Sequence, residues 1–599
     1  MEKEVLGVRG TPAPTDIEFE NVWFTVKRGK GHKKIIKGVS GKFKSGELTA
    51  IMGPSGAGKT SLLNILTGFQ KSGVEGSIRC GSREDIKNEK RLYQKESCYI
   101  LQDDHLPDFL TVGEFMFSTM KLKLSGLTRQ LCDEAIDDIL ATLGLYTAKN
   151  TPCGNLSGGQ RKRLSIALEL IDDPPVMFLD EPTTGLDSSS ANQCVFMLSE
   201  LARKGRTVIC TIHQPSTRLY MTFNQVYTMA DGRCVFRGSP SNTVPYLASS
   251  GFVCPRYHNP ADFLLEVTSG EYGNAIDCLA KAAQDSKWAI DAEVPPTRRV
   301  ETDKGTRKVG HWRVATLRKK PSELARFSIL LRKQLAYLNR DASAAKLKLF
   351  LHFLVGAMLG LTYHNSGYDA SKSISNVSFF LVSVVYISYT SLMPAVLRFP
   401  SELLILRKEL FNRWYTLRTY FISHMAADIP LQIAFALTYT TSAYLISAQP
   451  LEFGRFFMVV AVLSMVCISA SGMGLIFGAL VDPINGTFLG AIFSALLFSL
   501  AGSLCLFPHM PRVMYYLTNF SYLSFSMEGV LQAVYGFDRG PLICPSDVAY
   551  CLYTSPSELL RDIGMDRLSF FADIAYIALY AVIFRVLAYF FLKRKLMSF

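Results

Sequence analysis

The stretch "GELTAIMGPSGAGKTSLLNILTGF" (46–69) decides how the rest of the chain is read. "ELTAIMG" (47–53) is a short apolar run of strand length, and it passes directly into "GPSGAGKT" (53–60), from which "TSLLNILTGF" (60–69) leaves with helical spacing. The eight central residues fit G-x-x-x-x-G-K-[ST], and strand–loop–helix is the context that pattern requires. Backbone N–H groups of Gly53, Pro54, Ser55, Gly56, Ala57 and Gly58 (all but the proline) are expected to close around phosphate oxygens, helped by the following helix N-terminus. Lys59 then supplies positive charge to the terminal phosphates, and Thr60 a hydroxyl for Mg²⁺.

A phosphate cradle needs a metal partner and a means of activating water. "PPVMFLDEP" (174–182) reads as a buried strand ending on two carboxylates. Asp180 is placed to hold Mg²⁺, and Glu181 to orient or deprotonate the attacking water. "RTVICTIHQPS" (206–216) is a further strand, ending near His213, which is a candidate for the γ-phosphate. Gln102 follows the short strand "CYIL" and completes the metal set of Thr60, Gln102 and Asp180. Strands alternating with helices over the first 275 residues predict an α/β domain with a largely parallel sheet.

A second glycine-bearing run, "NLSGGQRKRLSIALEL" (155–170), turns into a basic helix with apolar periodicity. Ser157, Gly158 and Gly159 precede that helix, so its positive end is able to meet a phosphate. The chain carries one cradle and one such run.

Composition divides the 599 residues into two halves. Hydrophobic residues make up 48% and charged residues 19%, but the charge lies mostly before residue 345 and long apolar stretches follow. A soluble domain (1–284), a linker (285–322), an amphipathic basic helix suited to a membrane interface (323–340) and a membrane domain (341–599) are expected. Six spans are placed near 346–363, 374–398, 419–447, 454–481, 485–507 and 569–592. The loop 398–418 holds Arg398, Arg407, Lys408, Arg413 and Arg418, and the tail holds Lys593, Arg594 and Lys595, whereas 364–373 and 448–453 hold only Lys372 of the Lys/Arg type. The positive-inside rule is satisfied if the soluble half is cytosolic. It also accounts for the net charge of +13 without nucleic acid, which is not expected as a partner. "MEKEVLGVRGTPAP" (1–14) has no apolar h-region, so the first span is expected to act as the insertion signal. The segment 508–568 then faces the exterior or a lumen, its first part apolar enough to dip back into the membrane.

Nine of the thirteen cysteines lie scattered from Cys80 to Cys278 without a close pair and read as reduced core residues. Cys544 and Cys551 fall in the non-cytosolic segment, where a short loop in an oxidising compartment predicts a disulfide. The sequons at Asn376 and Asn519 lie in or beside spans and are not expected to be efficiently glycosylated.

"GPSGAGKT", Gln102, "LSGGQRKR", "FLDEPTTGLDS" and "TIHQPS", in that order and spacing, resemble an ATP-binding cassette. Cassette first and six spans second resembles the G subfamily of half-transporters, the White-type proteins. "CYILQDD", "RYHNPADFLLEVTSGEYG" (256–273) and "MEGVLQAVYG" (527–536) are similar to its sterol-exporting branch. The resemblance implies an all-α six-helix membrane domain behind a P-loop α/β domain, with ATP and Mg²⁺ as cofactors. ATP would be sandwiched between one chain's cradle and the facing chain's Ser157, Gly158, Gly159 and Gln160, with Asp187 also at the nucleotide. Two such sites need two chains, so a homodimer, or a heterodimer with another half-transporter, is implied. Val26 stands where many cassettes stack an aromatic on adenine.

The second and fifth spans carry no charge between Lys372 and Arg398 or within "INGTFLGAIFSALLFSLAGSLCLF". The resemblance puts them at the dimer axis. Phe379, Tyr386, Tyr389, Phe493 and Phe498 would line an apolar cavity there, and Leu504 would serve as an outer plug, a role Ser503 does not fit. Such a cavity suits a sterol or another membrane lipid. The leading reading is therefore an ATP-driven lipid exporter in the plasma membrane or an endomembrane. Pigment-precursor, peptide or xenobiotic cargo is the alternative, with a non-transporting regulatory cassette ATPase beyond it.

Overall fold

The computed structural model describes residues 14–28, 31–81, 97–284, 320–340, 342–502, 505–546, 548 and 550–597. Most of the expected linker, 285–319, lies outside them. The chain divides into two units, one running to Arg326 and including Lys408–Tyr415, the other holding Phe327–Arg407 and the residues from Thr416 onward.

Nine strands are described in the first unit: β1 (Ile17–Arg28), β2 (Gly31–Phe43), β3 (Leu48–Met52), β4 (Val74–Cys80), β5 (Ser97–Ile100), β6 (Val176–Leu179), β7 (Thr207–Thr211), β8 (Gln225–Ala230) and β9 (Arg233–Gly238). Six form a sheet in the order β5-β6-β7-β3-β8-β9, parallel except for the last pair. Every residue of β3, β6 and β7 is buried, as expected of parallel strands covered on both faces. The β8–β9 hairpin turns on Asp231 and Gly232, both with positive φ (45° and 76°), the conformation that Asp-Gly favours in tight hairpins.

The remaining three strands make an antiparallel sheet, β2-β1-β4, which the alternating strand–helix reading did not anticipate. Its inner face is set by alternating burial of Ile17 and Phe19 and, after a bulge at which Asn21 takes φ +48°, of Val22 and Phe24. Alternation across Trp23 and Phe24 buries Phe24. Trp23 is half-buried, donates from Nε1 to Asn21 (2.8 Å) and lies under the Lys34 ammonium.

The helices that matter for the site are α1 (Lys59–Leu66), α2 (Val112–Lys123), α3 (Arg129–Thr142), α4 (Gly158–Leu170), α5 (Ser188–Arg203) and α6 (Pro260–Ser269). α2 and α3 constitute the helical insert between Gln102 and the second glycine run. Thr111 and Glu114 start α2 with a reciprocal capping box.

The second unit is helical: α7 (Glu323–Arg340, whose first residues belong to the first unit), α8 (Ala342–Thr362), α9 (Ser373–Phe411), α10 (Leu417–Ile446), α11 (Phe453–Leu480), α12 (Pro483–Ser499), α13 (Tyr522–Tyr535) and α14 (Phe570–Met597). Five helices are long and apolar enough to cross a membrane, and α12, with 17 residues, falls short of that length. The expected fifth span, 485–507, is thus cut off at Leu500. Beyond the helix end Gly502 takes φ +77°, and a Cβ there would lie 2.2 Å from the Phe507 ring, which packs on the glycine. The second span is longer than expected. α9 runs through Pro394 and Pro400 to Phe411, taking up most of what was read as the loop 398–418. Small residues bring these helices together. Gly356 and Gly360 of α8 meet Ser442 and Ile446 of α10, and Gly474 and Gly478 of α11 meet Leu392 and Phe399 of α9, with no room for a Cβ at Gly356, Gly360 or Gly474.

α13 is buried at all 14 positions, although it lies in the segment expected outside. Its Glu528 is paired with Arg567 at 2.7 Å, and Arg455 donates to the carbonyls of Ala533, Val534 and Gly536 at its C-terminal end. Cys544 and Cys551 are joined by a disulfide. Asn376 is fully buried, with its amide bonded to Ser366, Gln449 and Tyr535, so its sequon is inaccessible in the folded chain.

Candidate functional site

β3 delivers the chain into the phosphate loop against β8. Gly53 (φ +144°) is where the two come closest: a Cβ would sit 2.0 Å from the Met229 carbonyl oxygen, so only glycine fits. Gly58 (φ +97°) caps α1 without a side-chain bond, and no acidic residue occupies the first turn. The N–H groups there are left for an anion. The Lys59 ammonium is folded back over the loop, donating to the carbonyls of Gly53 (2.8 Å) and Pro54 (3.1 Å). Its burial lowers its pKa, opposed by the charges of Glu181 and Asp180. A phosphate would restore what burial takes away.

β6 ends at Leu179 and places Asp180 against three hydroxyls. Its Oδ1 accepts from Thr211 (2.6 Å) and Thr60 (3.3 Å), and its Oδ2 lies 3.4 Å from the Tyr99 hydroxyl. Burial pushes the Asp180 carboxyl up, and the Thr211 bond opposes that. Thr60 and Asp180 together form an all-oxygen set of the kind Mg²⁺ takes when phosphates and water complete its shell. Glu181, a non-glycine residue at φ +44°, is held in that uncommon conformation by its N–H donating to Thr211 Oγ1 (2.8 Å). Its Oε2 accepts from Gln102 (3.0 Å) and Thr184 (2.9 Å). Thr60, Gln102, Asp180 and Glu181 are therefore brought together.

The other expected residues lie just after β7, at the starts of α4 and α5, and on β1. His213 is exposed, two residues beyond β7. Ser157 caps α4 in a reciprocal box, its Oγ accepting from the Gln160 N–H (3.3 Å) and its own N–H donating to Gln160 Oε1 (3.0 Å). Gly158 packs beside Gly185 and Leu186, and Gly159 against Ser190. Asp187 caps α5 through Ser190 N–H at 3.0 Å. Two helix N-termini thus lie side by side, with Ser157 and Gly158 exposed, and among the described residues no hydrogen bond joins them to the phosphate loop. Val26 is exposed and pairs across the hairpin with Lys33.

Sequence reading missed Thr211, Tyr99, Asn64 and Asn259. Thr211 carried a faint signal, as the polar end of the apolar strand "TVICT". Asn259, inside "RYHNPADF", caps α6 and donates to the Pro215 carbonyl (3.0 Å), tying that segment to the residues after His213. A cavity of about 530 Å³ lies there, lined by Gln214, Ser216, His258 and Asp262 among others and away from the phosphate loop.

The expected cargo residues do not share one surface within the chain. Phe379 is buried beside Tyr363 and Phe380, and Tyr386 packs on Tyr439 and His352. Tyr389 and Phe493 are exposed at 48% and 38%, and Phe498 is half-buried against the core. Leu504 and Ser503 lie outside the described residues. Phe379 is core rather than lining, because α9 turns that face towards its neighbours.

Residues 36–184 match the family model described as ABC transporter, and residues 325–535 match that described as ABC-2 type transporter. The chain is 30% identical over 532 residues to ABC transporter G family member 26 of Arabidopsis thaliana, covering 85% of this chain and 77% of the relative. It is 30% identical over 586 residues to Protein white of Drosophila melanogaster (94% and 83%). To the broad substrate specificity ATP-binding cassette transporter ABCG2 of Sus scrofa it is 29% identical over 580 residues (88% and 85%).

Proposed function

The chain belongs to the G family of ATP-binding cassette transporters, membrane proteins that couple ATP hydrolysis to transport, and on that premise we propose that two such chains together move a sterol or another lipid. ATP with Mg²⁺ would bind at Gly53–Thr60, Asp180 and Gln102 of one chain and be closed over by Ser157–Gln160 of the other. The observation that supports this is the outward-facing Ser157 and Gly158, which leave the α4 N-terminus free of the chain's own phosphate loop. A second cassette closing there would exclude water and complete the site. Glu181 would polarise the attacking water, with His213 at the γ-phosphate. In this reading 1–284 is the cytosolic cassette, 285–322 a linker, 323–340 an interfacial helix and 341–599 a six-crossing domain in the plasma membrane or an endomembrane.

For the cargo, support comes from the exposed, uncharged aromatic positions Tyr389, Phe488 and Phe493 on α9 and α12. An apolar surface of this kind suits a flat hydrophobic molecule. A broader cargo range is the second reading, favoured by the similarity to a transporter named for broad substrate specificity. ATPase of the purified protein in nanodiscs, with and without sterols, tests the proposal. Stimulation by sterol and not by a charged water-soluble compound supports it, and the reverse pattern favours the second reading.

A further inference from the structure

Thr60 and Asn64 are one helical turn apart on α1, so whatever holds Asn64 also sets Thr60. The Tyr99 hydroxyl lies 2.8 Å from Asn64 Oδ1 and 3.4 Å from Asp180 Oδ2. It therefore stands between the helix that carries Thr60 and the strand end that carries Asp180. Tyr99 is 2% exposed, and its ring is fixed by edge contacts with Phe69 and Phe411. Its backbone is fixed as well. β5 is the edge strand of the six-stranded sheet, and on it the Asn412 amide takes the place of a neighbouring strand. Asn412 Oδ1 accepts from Tyr99 N–H (3.1 Å), and Nδ2 donates to Tyr99 C=O (3.0 Å) and to Glu169 (2.9 Å). Asn412 belongs to the same unit as the cassette.

We propose that Tyr99 is a positioning residue for the metal–nucleotide site: its hydroxyl spans Asn64 and Asp180 and so sets the Thr60–Asp180 separation, and Asn412 sets Tyr99. The inference rests on the reading that Thr60 and Asp180 hold Mg²⁺ with ATP. The hydroxyl has one proton for these two oxygens, the Asn64 contact being the shorter, and such a bond is worth most where water has no access to replace it.

The test uses full-length protein in nanodiscs and a fluorescent ATP analogue, titrated in EDTA and in Mg²⁺. Tyr99→Phe keeps the ring contacts and the Asn412 bonds and removes only the hydroxyl. Analogue affinity in EDTA should stay within about twofold of wild type, while the tightening produced by Mg²⁺ falls roughly fivefold or more. The Mg²⁺ concentration for half-maximal ATPase should rise by a similar factor, with kcat at saturating Mg²⁺ little changed. Unchanged Mg²⁺ dependence, or an equal loss in EDTA, overturns the role. Asn412→Ala should shift Mg²⁺ dependence in the same direction and add nothing to Tyr99→Phe; additive shifts overturn the Asn412 part. Thr60→Ala separates the two levels. If it too leaves Mg²⁺ dependence untouched, the reading of the metal site fails; if it alone shifts it, only the inference about Tyr99 fails.

Discussion

The amide of Gln102 donates to the carboxylate of Glu181 at 3.0 Å, across the gap between the end of β5 and the end of β6. The two residues proposed to complete the metal site and to activate water thus occupy one another. Thr184 donates to the same carboxylate oxygen at 2.9 Å.

Glu181→Gln should keep ATP binding and lose turnover by roughly a hundredfold or more, because the amide accepts from Gln102 and Thr184 but does not take a proton from water. Steady-state ATPase alongside nucleotide binding checks this. Wild-type turnover would remove Glu181 from the catalytic role.

Gly53→Ala should disable the phosphate loop while most of the fold survives. The new Cβ meets a backbone carbonyl at 2.0 Å rather than a flexible side-chain end, and φ is +144°. The loop or β8 must move, at a cost on the order of a few kcal/mol. ATP affinity and the melting temperature with and without ATP should show lost ligand stabilisation. A normal ATP-induced rise in Tm would contradict the tight approach.

Tyr389→Asp should abolish sterol stimulation of the ATPase and spare much of the basal rate, since it puts a charge on an exposed apolar face far in sequence from the nucleotide site. Phe379→Ala should behave differently. Its ring is 1% exposed in the helical core, so its removal should cost about 3–5 kcal/mol of stability and lower basal and stimulated rates together. Thermal melts read beside the two rates distinguish these outcomes. Selective loss of stimulation in Phe379→Ala would return that residue to the cargo surface.

Reduction of Cys544–Cys551, seven positions apart in sequence, should cost about 2 kcal/mol by the loop-entropy relation. Non-reducing peptide mapping should recover the pair linked. Both found free in protein from an oxidising compartment would count against the non-cytosolic placement as well as the bond.

The phosphate loop, Asp180–Glu181 and the α4 start could be read from sequence because the chemistry needs contiguous residues at the end of one strand or the start of one helix. Tyr99 could not, and Thr211 only faintly, as the polar end of an apolar strand. Each looks like one more strand residue, and its meaning comes from Asn64 or Asp180 many residues away. The membrane helices were legible in hydropathy but not in their ends. α12 stops just before Gly502, on which Phe507 packs, and α9 continues through two prolines. Hydropathy records neither packing event. The antiparallel sheet was hidden for the same reason: β1 alternates only on either side of a bulge at Asn21, and which strands flank it is set by long-range pairing.

The shared nucleotide site is the central claim, and ATP-dependent cross-linking between chains tests it most directly. Ser55→Cys is placed on one chain and Ser157→Cys on the other, both exposed positions, in the Glu181→Gln background with a short thiol cross-linker. Mixed chains should give an interchain product that grows with ATP, and either variant alone should give little of it. Both variants binding ATP with no interchain product in the mixture, with or without ATP, would contradict the account.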